Sequence, residues 1–374
     1  MPQLLRIPSH YYIYSDAPDK NGDETLHFVS DHRRVRLRGH SFREFVQRVA
    51  PLLDGTRTVD ELQKEVADIF APDDLLACLE MLGRHGLLED SALSVVPKEL
   101  DELLRPQMNV FHELVPDPDA IQKRLLESRV SIFGLGGPGA SCALGLASAG
   151  IGTVDAIDRG LVSPAETYFS PVFDRGAAGS SRAETVGRRI EAATPHTRFR
   201  PFSEPLASDD QIRDVVAGSN FVINCLDEGE IGLAYKLNRV CLSLGIQFTT
   251  VQASGVEVIL GPTVDPKKTA CFLCYKMRSV ACSDNPEAEF AFQSFLDRRH
   301  QDDSAKRANL SFGVNIAAQL AGLEALKAVA GMQVSARGRL QVLNLLTLTM
   351  QTHLVLRKPW CPACFADWEE SSGS

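Results

Sequence analysis

No stretch of the 374-residue chain approaches the roughly 18 consecutive apolar residues that a membrane-spanning helix needs, and the N-terminus has no basic segment leading into an apolar one. The expectation is a soluble, cytoplasmic protein with no membrane partner. Positive charge is not in excess: 39 Lys and Arg stand against 48 Asp and Glu, a formal charge of −9, which argues against a nucleic-acid surface. A disulfide framework is missing too. Cys78, Cys142, Cys225, Cys241 and Cys282 are scattered, mostly inside apolar runs where a free thiol acts as a small hydrophobe. No internal repeat or low-complexity tract is present. The 44% hydrophobic content is enough for two domains, each with its own core.

The other four cysteines are paired in sequence. Cys271/Cys274 and Cys361/Cys364 each place two thiols on one tight turn, and two such turns complete a tetrahedral four-sulfur site whose expected occupant is structural zinc. The pairs are too far apart for a free-standing zinc ribbon, so the metal would staple the C-terminal tail onto a larger domain. Redox-active dithiols are the alternative, but neither pair sits where a strand runs into a helix, as that chemistry requires.

Residues 1–90 carry strand-like runs at 11–15, 25–30 and 34–39, which suit a small antiparallel meander. Three helices are expected after it. The first covers 41–53; the second follows a turn at 54–58 and opens on a capping box, Thr58 with Glu61; the third begins at Pro72 and stops at Gly86. The pattern describes a winged-helix-like α+β module, and because it is not notably basic a peptide is the expected partner. Residues 91–116, with Pro97, Pro106 and Pro116, read as linker. From 117 to 374 strands alternate with amphipathic helices, which predicts an α/β, Rossmann-like, mostly parallel sheet with helices on both faces and ligands at the carboxyl ends of its strands. A second set of strands follows, joined by a connection that carries the first CxxC.

The run Gly134, Gly136, Gly137, Gly139 satisfies GxGxxG between a strand and a helix, with Asp158 ending the next strand. Glycines let backbone N–H groups approach phosphates, and the acid takes a ribose hydroxyl. NAD, FAD and ATP all fit this segment alone. Asp227, ending a later strand where it could hold Mg²⁺ against phosphates, and the four-sulfur site shift the balance away from dinucleotide redox enzymes.

In combination these features resemble the ThiF/MoeB/HesA superfamily, bacterial relatives of ubiquitin-activating enzymes, over roughly residues 105–366. The N-terminal module, residues 53–62 above all, resembles the PqqD-like precursor-peptide recognition elements fused to such domains in peptide-modifying enzymes of the microcin and pantocin type. The resemblance implies that Gly134, Gly136, Gly137 and Gly139 cradle ATP, that Asp158 binds ribose, that Asp227 coordinates Mg²⁺, and that Arg182 stands where the family has a catalytic lysine. It also implies a homodimer. Departures are clear. Gly160 replaces the family's second aspartate, Glu166 its asparagine, Phe169 its arginine and Ser170 its glutamine, and no arginine is evident before the first strand near residues 108–114. Losing cationic groups weakens stabilisation of a nucleotidyl-transfer transition state by several kcal/mol.

Two readings follow: an ATP/Mg²⁺-dependent enzyme that activates a carboxylate or amide oxygen of a ribosomally made precursor peptide, or a degenerate relative that delivers the leader of that peptide to a partner biosynthetic enzyme, a separate cyclodehydratase. Cys282 is a candidate reactive thiol or an ordinary loop cysteine. His300, with Arg298 and Arg299, reads as a solvated helix face or a crossover segment meeting substrate carboxylates. Trp360 and Trp368 are expected to pack against the metal knuckle.

Overall fold

The computed structural model describes residues 3–115, 117–299 and 308–365. The chain divides into two compact units, residues 1–123 and 124–374.

In the first unit the expected meander is present. Strands β2 (Tyr12–Ser15), β3 (Glu24–Val29) and β4 (Arg34–Gly39) form an antiparallel sheet in that order. Alternation puts Leu26, Phe28 and Leu37 into the core with Phe42, Phe45, Leu62, Leu75, Leu79 and Leu82 from the helices that follow. The first helical stretch changes pitch, from Phe42–Glu44 through a π segment Phe45–Val49 to a 3₁₀ turn Ala50–Leu52. The helices Val59–Glu65 and Pro72–Arg84 begin as expected, the former with both halves of the Thr58/Glu61 capping box.

Two elements differ from the sequence reading. Residues 54–58 form a strand, β5 (Asp54–Thr58), antiparallel to β1 (Leu4–Arg6), which also pairs with β6 (Glu89–Asp90). Such short segments gain order only from partners distant in sequence. Residues expected as linker instead form the helix Lys98–Leu114 despite Pro106. Its Leu100, Leu104, Met108 and Phe111 recur at helical spacing and are buried. A second stripe, Asp101, Arg105, Asn109 and His112, meets the β1/β6 region: Arg6 bridges Glu89 and Asp101, Arg105 and His112 reach Glu89, and Asn109 Nδ2 donates to Ser9 Oγ at 3.2 Å. A fragment ending at residue 90 keeps the Arg6–Glu89 pair but strips Arg6 of Asp101 and the half-buried Glu89 of Arg105 and His112. It is expected to be about 3 kcal/mol less stable than one ending at 123, lowering the melting temperature by more than about 10 °C. Equal melting of the two fragments would refute this.

The second unit holds one eight-stranded sheet, ordered β14-β13-β12-β11-β10-β7-β8-β9. Strands β7 (Arg129–Phe133), β8 (Thr153–Ile157), β9 (Arg198–Phe202), β10 (Phe221–Asn224) and β11 (Phe248–Ser254) are parallel. The expected second set, β12 (Glu257–Leu260), β13 (Arg339–Asn344) and β14 (Thr349–Leu354), extends the same sheet with antiparallel pairing. Helices Pro138–Ser148, Arg182–Ala193 and Ser311–Ala330 pack together on one face, and Asp209–Val216 and Ile231–Leu244 cover the other. The long Ser311–Ala330 helix approaches closely through Ala317, Ala318, Ala321 and Ala325, all fully buried. No helix among the described residues is long and apolar enough to cross a membrane.

Candidate functional site

From β7 the chain winds outward through β8 and β9, then returns to lay β10 against the other side of β7. Two connections therefore leave the carboxyl ends of adjacent strands in opposite directions and open a crevice there. The glycine loop follows β7, Asp158 follows β8 and Asp227 follows β10, so all three sequence-predicted elements meet at this switch point.

The glycines are required by contact as well as by conformation. Gly134 has φ +86°, and a Cβ on it would lie 2.8 Å from the Cys225 carbonyl oxygen at the end of β10. A Cβ on Gly139 would overlap the Gly134 carbonyl, while Gly137 caps the Pro138–Ser148 helix at φ +52° with open space beside it. Asp158 ties the loop to β8: Oδ2 accepts from Leu135 N–H and Oδ1 from Gly160 N–H, each at 2.6 Å. Each carboxylate oxygen keeps a further lone pair, enough for one more hydrogen bond.

Beneath the loop lies a buried ion pair. Arg182 Nε is 2.8 Å from Glu166 Oε1 and Nη2 donates to Oε2 at 3.0 Å, with Nη1 3.7 Å from Asp158. Glu166 is fully buried and Arg182 is 7% exposed. The departures noted in the sequence are thus physically linked. A Cβ on Gly160 would fall inside Arg182 Nη1, and one on Gly136 would lie 3.3 Å from Arg182 Cζ, so the larger cation and its carboxylate partner occupy space that glycine vacates. Gly160→Ala is expected to drive Arg182 off Glu166 and destabilise the chain by about 3 kcal/mol. Adding Arg182→Lys, which shortens the head group, should recover most of the loss; melting curves showing no recovery would break the linkage.

A residue the sequence reading missed completes the crevice. Glu230 follows Asp227 by one 3₁₀ turn, Glu228–Glu230, with its N–H bonded to the Asp227 carbonyl at 2.9 Å. Burial, then the charges of Asp227 and Asp158, push its carboxyl up to about 7 against the opposing pull of Arg159 and Arg182. An acid three residues after a strand-end aspartate was the available signal. The negative charges of Asp158 and Asp227 act together on Glu230, the kind of environment a divalent cation relieves.

The four cysteines also converge. Cys271 Sγ is 3.8 Å from Cys274 and 3.7 Å from Cys361, and Cys274 is 3.6 Å from Cys364. All four sulfurs are buried and lie within 4.8 Å of one another. Zinc–thiolate bonds of about 2.3 Å put tetrahedral sulfurs about 3.8 Å apart, so the cluster has the dimensions of a zinc knuckle. Hydrogen bonds from Cys271 and Cys364, helped by Lys358 N–H at 3.3 Å, pull the Cys274 thiol below the ordinary thiol range. The tail is also laced to the helix Phe272–Ala281 and the segment before it, with Arg278 Nε donating to Leu356 O at 2.7 Å and Arg357 to Thr269 O at 2.9 Å.

The first tryptophan touches the knuckle at one side only: Trp360 is 78% exposed, with its ring centroid 6.4 Å from that of Phe365 beside Cys364. Trp368 and His300 lie outside the described residues. Cys282 ends the Phe272–Ala281 helix and is exposed.

The model of the ThiF family matches residues 105–363. The chain belongs to the ThiF family. Among characterised ThiF relatives, the sulfur carrier protein ThiS adenylyltransferase of Escherichia coli (strain K12) is 24% identical over 263 residues, 70% of this chain and 96% of that protein. Two solved structures share the fold over nearly the whole length. E. coli MccB with ATP aligns at TM-score 0.63 and 15% identity over 96% of this chain and 99% of its own. PaaA aligns at TM-score 0.65 and 19% identity over 93% and 99%.

Proposed function

We propose that this ThiF-family protein adenylates a precursor peptide in the biosynthesis of a ribosomally made peptide natural product. ATP-dependent activation is the chemistry of its family, and the proposal concerns the substrate and the bond formed. The observation that carries it is the extent of the likeness. ThiS adenylyltransferase corresponds to 70% of the chain, whereas MccB, crystallised with N-formylated MccA, and PaaA correspond to 93–96%, a span that takes in the N-terminal unit.

In this reading a peptide carboxylate or amide oxygen attacks the α-phosphorus of ATP, the bond to the β-phosphate oxygen breaks, and pyrophosphate leaves with the electron pair. A neighbouring nucleophile then bonds to the acyl or imidoyl carbon, the C–O bond to the adenylate breaks and AMP leaves with the electron pair, closing a ring or forming a dehydrated product. Gly134, Gly136, Gly137 and Gly139 cradle the phosphates, Asp158 takes the ribose, and Arg182, fixed by Glu166, holds Asp158 and the loop in register. Asp227, beside the charge-strained Glu230, is the ligand for Mg²⁺, which when bound neutralises the phosphates. Zinc in the Cys271/Cys274/Cys361/Cys364 cluster has a folding role. The N-terminal module, PqqD-like in its meander and helices, holds the leader by adding a peptide strand to a sheet edge, supplying binding energy remote from the reaction. A homodimer is part of the proposal: β14 is exposed along its whole length, with Leu346, Leu348 and Leu354 open to solvent. ATP as substrate and free thiols suit the cytoplasm.

The test is ATP consumption and peptide mass with the purified protein and a small peptide encoded beside its gene. Consumption that requires the peptide, with AMP released, supports adenylation. Protein that consumes no ATP and leaves the peptide unchanged until an adjacent cyclodehydratase is added would instead be the delivery partner that the missing arginines favour.

A further inference from the structure

The three-stranded sheet of the N-terminal unit carries a concentration of positive charge that the acidic chain shows in few other places. Four arginines, Arg33, Arg34, Arg36 and Arg38, fall within six residues. Two are already used. Arg33 donates to the His85 carbonyl, and Arg38 pairs with Asp19 at 2.7 Å and Asp23 at 3.0 Å. Arg34 and Arg36 are exposed and have no hydrogen-bond or ion-pair partner among the described residues.

Register places both on the solvent face. Directly opposed residues of antiparallel strands share a face, which gives rows Tyr12–Val29–Arg34 and Tyr14–His27–Arg36. The second row is ordered by a Tyr14–His27 stack, 4.5 Å between ring centroids and 6° between planes. Leu26, Phe28 and Leu37 face the other way, into the core. Strand β4 is also an edge: among the described residues, no hydrogen bond other than its ladder to β3 reaches the backbone of Arg34–Gly39. An open edge beside two unpaired arginines specifies more than a generic peptide site.

We propose that the free edge of β4 takes an extended segment of the precursor peptide in which acidic residues alternate with apolar ones, the acids read by Arg34 and Arg36. The inference rests on the proposed peptide-holding role of this unit. Alternate residues on paired strands are both about 6.8 Å apart, so two acids at i and i+2 meet the two arginines at once. The residues between them fall on the side of Val35 and Leu37 and are therefore apolar. A nucleic acid is disfavoured, since Asp16, Asp19 and Asp23 border the same sheet and the chain carries −9 overall.

The test uses the full-length protein and fluorescein-labelled peptides that alternate glutamate with valine or threonine, read by fluorescence anisotropy at low salt. The expected result is binding about tenfold tighter than that of the glutamine counterpart, the size two exposed strand-paired ion contacts provide. Arg34→Gln with Arg36→Gln should erase the preference, and Arg34→Glu with Arg36→Glu should turn it toward a lysine counterpart. These side chains are exposed, so folding is not at stake. Equal binding of glutamate and glutamine peptides, a preference that survives the double substitution, or a DNA oligonucleotide outcompeting the glutamate peptide would each overturn the proposal. ATP consumption dependent on the peptide encoded beside the gene is measured alongside. Its absence with the glutamate preference intact removes the adenylation reading alone; its presence without the preference removes this inference alone.

Discussion

Asp227→Ala is expected to abolish peptide-dependent ATP consumption, by at least about 100-fold, while leaving leader affinity unchanged. The carboxylate stands at the end of β10, across the switch point from the glycine loop. Asp227 would hold Mg²⁺, which when bound would supply neutralisation of the phosphate charge, an effect worth several kcal/mol. The leader is assigned to another compact unit, so the two functions should separate. The decisive measurements are ATP turnover, peptide mass and leader binding on the same preparations. A variant that modifies peptide at the wild-type rate would remove Asp227 from the site. Glu230 provides an internal control for the electrostatics: taking away the Asp227 charge should let its carboxyl fall from about 7 toward the ordinary glutamate range.

The second large effect concerns the knuckle. Purified protein is expected to hold one zinc per chain, and Cys361→Ser should lose the metal and with it the folded C-terminal segment. Four buried thiols within 4.8 Å of one another offer a closed coordination shell with no position left for substrate, which marks the role as structural. Structural zinc contributes on the order of 10 kcal/mol to folding in small domains, so even part of that exceeds the margin of an ordinary domain. Metal analysis and thermal melting test this together. Less than about half an equivalent of zinc, with Cys361→Ser melting like the wild type, would show that packing alone holds the tail.

Much of this architecture was legible from local pattern. The meander, the Thr58/Glu61 cap, the alternation of strands and helices, the glycine loop with its two strand-end aspartates and the paired CxxC turns are all encoded within a few residues of themselves, where periodicity, capping chemistry and ligand spacing act. The linker reading of 91–116 failed because three prolines outweighed the spacing of Leu100, Leu104, Met108 and Phe111, a periodicity that the helix nonetheless follows.

What the sequence alone determined is the set of parts: a small α+β module, a glycine-rich loop between a strand and a helix, and a four-sulfur site. Tertiary structure decided how the departures from the family pattern fit together. Gly160, Glu166 and Arg182 read separately as losses; folded, they are one arrangement in which a buried carboxylate neutralises a larger cation and a missing Cβ makes room for it. The same holds for β5, for Glu230 and for Arg34 and Arg36 on β4, unpaired among the described residues. In each case the outcome depends on which distant groups share a volume, and electrostatic and steric complementarity act across space and leave no periodic trace in the chain.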